Sequence, residues 1–238
     1  NEYYDYKRGL DNAESVGIGG AIVRDGVPAS VILRLAVVLF ALSVLLGIYI
    51  SAMSSWWIAL IGAVSTAARY FYTGGPYPIA YTPFGEVVSG LFMGLVIILI
   101  AFFIQTGTIT IDSILISIPI SILCGAILTA NNIRDREGDK TNGRKTLAIL
   151  LGHENSIRFL AGMFIVSYLW IIGMIAAGYA SIWLLIVLFS LPKAISATRS
   201  FIGKKKPAEM MPAMKATAQM HTVFGFLVAL GILLNYLF

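Results

Sequence analysis

Charge is scarce in this chain. Only 12% of its 238 residues are Asp, Glu, Lys or Arg, about half of what a soluble domain carries, while 58% are hydrophobic and the mean hydropathy is +0.84. Such a composition cannot coat a water-facing surface, so the chain reads as an integral membrane protein whose first partner is the lipid bilayer. A single cysteine, Cys124, excludes both a disulfide framework and a cysteine metal site; inside the apolar run Ile111–Ala130 it reads as a small packing residue. The two histidines, His153 and His221, are far apart and fit no ligand pattern. Each reads as a loop or interfacial residue. An initiating methionine and a signal peptide are also missing. Because the chain opens inside a motif that belongs at the end of a membrane helix, an N-terminal truncation is expected.

What the chain has in quantity is long apolar runs. Spanning a bilayer takes about 20 residues, and seven stretches approach that length: Val31–Ile50, Trp56–Tyr72, Val87–Gln105, Ile111–Ala130, Ile157–Ala177, Ile182–Thr198 and Thr217–Phe238. The fold class expected is therefore an all-α transmembrane bundle of seven helices in one domain, residues 1–238. The connections around Ser51–Ser55, Thr106–Thr110 and Gly178–Ser181 contain no Lys or Arg, so all 17 basic residues fall on the other side or in the adjoining helix ends. An excess of Lys and Arg marks the cytoplasmic face. The net charge of +5 is thus a topology signal and not a nucleic-acid surface, and Lys204, Lys205 and Lys206 read as a positive-inside anchor.

Against this background two charged clusters stand out, Asn1–Asp11 (NEYYDYKRGLD) and Asn131–Lys140 (NNIRDREGDK), both at ends of apolar runs on the cytoplasmic side. Carboxylates beside a membrane are costly and default to function. Asn1 and Asp5 are four apart, and Asn132, Asp135 and Asp139 are three and four apart, so each set lies along one helix face. Asp11 lies six beyond Asp5, well around a continuous helix, but a break at Gly9 would swing it back. Acids mixed with bases suit a site where Mg²⁺ bridges carboxylates to an anionic phosphate that the bases help neutralise. The competing reading is a solvated face on which the acids pair with Lys7, Arg8, Arg134, Arg136 and Lys140.

Four segments, Asn1–Asp11, Tyr72–Thr82 (YTGGPYPIAYT), Asn131–Gly152 (NNIRDREGDKTNGRKTLAILLG) and Met211–Gly225 (MPAMKATAQMHTVFG), resemble the UbiA superfamily of intramembrane aromatic prenyltransferases, and within it the menaquinone-forming MenA branch. The resemblance runs nearly end to end. It implies a nine-helix fold of which seven helices are present, the first and most of the second being absent. In the broader superfamily the third acid of the first motif lies four beyond the second; that position here is Gly9 and the acid is Asp11, a spacing the menaquinone branch shares.

The resemblance also implies an activity: transfer of a polyprenyl group from polyprenyl diphosphate to 1,4-dihydroxy-2-naphthoate, with loss of CO₂ and diphosphate, at a cytoplasm-facing site in the cell membrane. Asp5, Asp135 and Asp139, with Asp11, would hold Mg²⁺ on the donor diphosphate, and Asn1 and Asn132 would add amide oxygens or orient the carboxylates. Lys7, Arg8, Lys140, Arg144 and Lys145 are candidates for the charge on the leaving diphosphate. Tyr3, Tyr4, Tyr6, Tyr70 and Tyr72 are candidates for stabilising the allylic cation, against an alternative role as interfacial anchors. Arg69 is a candidate for the acceptor carboxylate, with snorkelling as its alternative. Competing functions are another superfamily member acting on 4-hydroxybenzoate, haem or a chlorophyll precursor, and a cation-coupled transporter, whose sites usually lie near the bilayer midplane on broken helices.

Overall fold

Each of the seven apolar runs is helical in the computed structural model, which describes residues 1–11 and 20–238 and contains no strand among them. The α-helices are α1 (Glu2–Lys7), α2 (Ala29–Met53), α3 (Trp56–Thr73), α4 (Gly85–Gly90), α5 (Ile97–Thr106), α6 (Ile111–Thr141), α7 (Leu147–Leu151), α8 (His153–Ala176), α9 (Leu191–Arg199) and α10 (Met211–Leu237). A π-helical stretch, Leu91–Val96, joins α4 to α5 into one rod. Among the described residues six helices are long and apolar enough to cross a membrane, one fewer than expected. The difference is α3, an 18-residue helix in which Ser65, Thr66 and Arg69, with the polar ends of several Trp and Tyr side chains, dilute the apolar content. The protein is a multi-pass membrane protein.

The chain divides into two units, Asn1–Thr82 with Gly138–Arg144, and Pro83–Glu137 with Lys145–Phe238. In the first, α1 packs on α2, α2 on α3, and α3 on a short 3₁₀ turn, Ile79–Tyr81. The most apolar stretch of α2 has no buried residue, which suits a helix apolar on all sides and clothed by lipid. Helix α1 stops where Gly9 takes a left-handed conformation, φ +74°, open to glycine without a Cβ penalty. The chain then turns back, and the amides of Leu10 and Asp11 both donate to the Asp5 carbonyl, at 2.9 and 3.4 Å. The break expected at Gly9 is present.

The second unit is built round a core from α6, α8, the 3₁₀ helix Ile182–Ser190, α9 and α10 that includes Leu123, Ile133, Leu160, Phe164, Ile171, Val187, Met220 and Phe224. In hydrocarbon the backbone must satisfy itself, and Pro119 inside α6 threatens that, since it has no N–H for the carbonyl of Leu115 one turn earlier. Trp170 on α8 closes the gap: its indole N–H donates to the Leu115 carbonyl at 2.9 Å. Small residues bring helices close. A Cβ on Gly90 or Gly94 would lie 2.7 or 2.4 Å from backbone atoms of Ser121, and one on Gly125 would lie 2.9 Å from the Glu86 carbonyl. The expected span Ile182–Thr198 is two pieces, a 3₁₀ helix over Ile182–Ser190 followed by α9. Pro192, in the first turn of α9, lacks the N–H that a continuous α-helix would need there.

Candidate active site

Three charged side chains meet in the first unit. Arg144, just beyond the end of α6, places Nη2 3.1 Å from Asp5 Oδ1 and Nη1 3.0 Å from Asp139 Oδ1, and all three side chains are largely enclosed, at 14%, 19% and 7% exposure. Arg144 is carried there by the turn that ends α6, where its amide donates to the Asp139 carbonyl at 3.0 Å. One guanidinium thus joins the two acidic clusters. A planar fork with five donors can serve two carboxylates at once, which an ammonium does less well. Burial pushes the Asp5 carboxyl above its ordinary value, while Arg144 and Arg8 pull it the other way.

A second guanidinium lies alongside. Arg8 donates to the carbonyls of Thr73 and, at 2.8 Å, Gly75, so the turn after α3 holds it in place. Arg8 and Arg144 both lie over the ring of Tyr81, 5.6 and 5.3 Å from its centroid, within cation–π range. Two cations on one aromatic ring, beside two carboxylates, form a compact arrangement able to accept an anion together with its counter-cation. Asn1 takes part through its side-chain oxygen, which accepts from the Thr73 hydroxyl at 3.1 Å. Tyr4 reaches the Tyr70 hydroxyl at 3.4 Å, with Tyr3 edge-on to Tyr4. Lys7 lies over Tyr3 at 5.9 Å. Lys7, Arg69, Tyr70, Lys140 and Lys145 are exposed, and Tyr72 and Asp11 half-buried.

In the second unit, the fork of Arg134 pairs with both oxygens of Asp135, at 2.7 and 2.6 Å, and reaches the Asn131 side-chain oxygen at 2.6 Å. Asn132 donates from Nδ2 to Glu86 Oε1 at 2.9 Å, and both residues are buried. Because α6 runs unbroken over Ile111–Thr141, Asn132, Asp135 and Asp139 keep the one-face spacing expected of them. Among the described residues no three acidic, histidine or cysteine side chains are grouped closely enough to hold a metal ion. Asp5 and Asp139 instead share a guanidinium, while Asp135 has its own.

Tyr81 and Glu86 lie outside the residues expected from sequence, and Arg144, expected on the diphosphate, also links two carboxylates. Glu86 carried a signal, being an acid at the mouth of the apolar run Val87–Gln105. Tyr81 carried none beyond its place in the quoted segment Tyr72–Thr82.

The model of the UbiA prenyltransferase family matches residues 1–235. The chain is 58% identical over 236 residues to the 1,4-dihydroxy-2-naphthoate octaprenyltransferase of Bacillus subtilis, covering 99% of this chain and 76% of that protein. It is 30% identical to UbiA prenyltransferase domain-containing protein 1 of Mus musculus, covering 98% of this chain and 68% of the relative. A structure solved in work on the biosynthesis of digeranylgeranylglyceryl phosphate synthase aligns with TM-score 0.58 at 13% identity, covering 97% of this chain and 78% of that one; at that identity the likeness concerns the fold. With a family model matched almost from end to end and a Bacillus relative sharing more than half its residues, this chain belongs to the UbiA prenyltransferase family.

Proposed function

We propose that this protein transfers a polyprenyl group from polyprenyl diphosphate to 1,4-dihydroxy-2-naphthoate, with loss of CO₂ and diphosphate, yielding demethylmenaquinol for menaquinone synthesis. The observation that carries the reading is the 58% identity over 99% of the chain to a protein named for that activity. On this reading the 238 residues form one prenyltransferase domain in the cell membrane with its site facing the cytoplasm, an orientation that the Lys and Arg distribution supports.

The site's chemistry supports the reading. Its acidic side chains, Asp5, Asp11, Asp135 and Asp139, with the amides of Asn1 and Asn132, are all hard oxygen donors, the set that suits Mg²⁺. Asp5 and Asp139 already converge on one cation, the guanidinium of Arg144, so their negative charge is concentrated where a divalent ion can share it. When bound, Mg²⁺ supplies neutralising charge between carboxylates and diphosphate. Arg8 and Arg144, each within cation–π range of Tyr81, receive the charge that grows on the departing diphosphate, and Lys7, Lys140 and Lys145 raise the local potential. Departure leaves an allylic cation, for which the faces of Tyr4, Tyr70 and Tyr72 are stabilising partners. The ring carbon of the naphthoate that bears the carboxylate attacks, the new C–C bond forms, and CO₂ leaves with restoration of the aromatic ring. Arg69 is the candidate for holding the acceptor carboxylate until then.

A carboxyl-labelled acceptor tests the proposal directly. Membranes holding the enzyme, given a polyprenyl diphosphate, should release the label as CO₂ and leave 4-hydroxybenzoate largely unprenylated. Label retained in a prenylated product would defeat the decarboxylating step, and preference for 4-hydroxybenzoate would defeat the acceptor assignment.

A further inference from the structure

Glu86 is a carboxylate with an unusual address. It is the second residue of the membrane-spanning rod Gly85–Thr106 and is 5% exposed; one other side chain bonds it, Asn132 donating from Nδ2 to its Oε1 at 2.9 Å, and its own backbone N–H also faces the carboxylate in this first helical turn. Its other oxygen, Oε2, is enclosed without a hydrogen-bond partner. A purely structural residue here would be apolar, or polar with both ends satisfied, because an unsatisfied buried acceptor is destabilising. An acid retained at that cost in a membrane helix points to function.

The packing holds it there. Gly125 on α6 lies against the Glu86 carbonyl, and Gly90 and Gly94 lie against the Ser121 backbone. Any side chain at these three positions would push the rod away from α6 and draw Glu86 off Asn132. The irregular π-helical stretch Leu91–Val96 follows within the same rod, and π turns occur often at functional sites. Asn132, the target, shares a face of α6 with Asp135 and Asp139.

We infer that Glu86 is a positioning residue for the diphosphate site. By taking the Nδ2 end of the Asn132 amide, it fixes the rotation of that side chain and leaves the oxygen, Oδ1, as the end presented to a divalent cation. Outer-shell partners of this kind orient inner ligands and typically change metal affinity or activity by about 10–100-fold when removed. The inference rests on the proposed reading of Asn132 as part of that site.

The experiment titrates Mn²⁺ into the membrane enzyme with inorganic diphosphate present and measures the metal that stays with the enzyme after separation from free Mn²⁺ and its soluble diphosphate complex. Glu86→Met fills the same space without an acceptor oxygen and should bind Mn²⁺ about 10–100-fold more weakly, with the KM for naphthoate within about twofold of wild type. Glu86→Gln keeps an oxygen for Asn132 and should restore binding. In an Asn132→Ala background, Glu86→Met should add nothing further. Where the Met variant does not insert, Glu86→Asp, one methylene short of Asn132, must show the same weakening. Unchanged Mn²⁺ binding in Met or Asp, a Gln variant as weak as Met, or a raised naphthoate KM with Mn²⁺ binding intact would each overturn the inference while leaving the proposed activity standing. A wild-type enzyme that neither binds Mn²⁺ with diphosphate nor transfers a prenyl group would overturn the activity, and the inference with it.

Discussion

Arg144 reaches Asp5 across 139 positions of sequence, Nη2 to Oδ1 at 3.1 Å, and in doing so links the first acidic motif to the second. Its other terminal nitrogen bonds Asp139, so a single guanidinium fixes the spacing of two carboxylates that would otherwise repel. An Arg144→Ala variant should lose about 10²-fold or more in kcat/KM for prenyl transfer, the scale set by removing one preorganised charge-stabilising donor. Arg144→Lys should recover only part of this, because an ammonium cannot reproduce the planar fork. Steady-state kinetics in membranes would measure both; full activity in the Lys variant would show that charge alone suffices.

The two clusters are expected to fail separately. Asp5→Asn and Asp139→Asn keep nearly the same shape but remove the charges on which Arg144 and a divalent ion depend. Each should reduce transfer by at least about 10²-fold, with amounts inserted in the membrane near wild type. Wild-type turnover in either variant would return that carboxylate to the role of an ordinary surface charge.

Chelation addresses the cation itself. A diphosphate approaching Asp5 and Asp139 meets like charge, which a divalent ion must offset. Membranes treated with EDTA should lose prenyl transfer and regain it on addition of excess Mg²⁺. Undiminished turnover after complete chelation would exclude a metal-bridged site.

Tyr81 holds two guanidiniums through its ring, with centroid distances of 5.6 Å to Arg8 and 5.3 Å to Arg144. Tyr81→Phe preserves the ring and should act like wild type. Tyr81→Leu preserves much of the bulk but removes the ring's attraction, about 0.5–2 kcal/mol for each cation, and should raise the KM for polyprenyl diphosphate about 5-fold or more while sparing that for naphthoate. Equal KM values in the Phe and Leu variants would argue against the cation–π contribution.

Stability offers an independent check at Trp170. Its indole N–H satisfies the Leu115 carbonyl that Pro119 leaves without a helical donor, so Trp170→Phe should destabilise the protein by about 1–3 kcal/mol, the cost of a buried acceptor left unpaired. Replacing Pro119 by Ala returns an N–H to Leu115 and should remove most of that penalty. Thermal melts of the single and double variants in detergent would read the coupling.

Membrane spans, the one-face spacing of Asn132, Asp135 and Asp139, and the break after α1 were determined by sequence alone, because each follows from a local rule: apolar length, the helical period, a glycine at positive φ. The lower hydropathy of α3 is of the same kind, since Ser65, Thr66 and Arg69 are themselves sequence features. Tertiary structure alone decided that Arg144 joins Asp5 to Asp139, that Tyr81 carries two arginines, that Arg134 takes Asp135, and that Asn132 donates to Glu86. These partnerships couple segments tens to more than a hundred residues apart, or select one partner among several cations within a turn. Hydrophobic periodicity carries no record of which polar group faces which once the chain has closed on itself. That choice is set by close helix contacts such as Gly125 against Glu86 and Gly94 against Ser121, whose distances exist only in the folded chain.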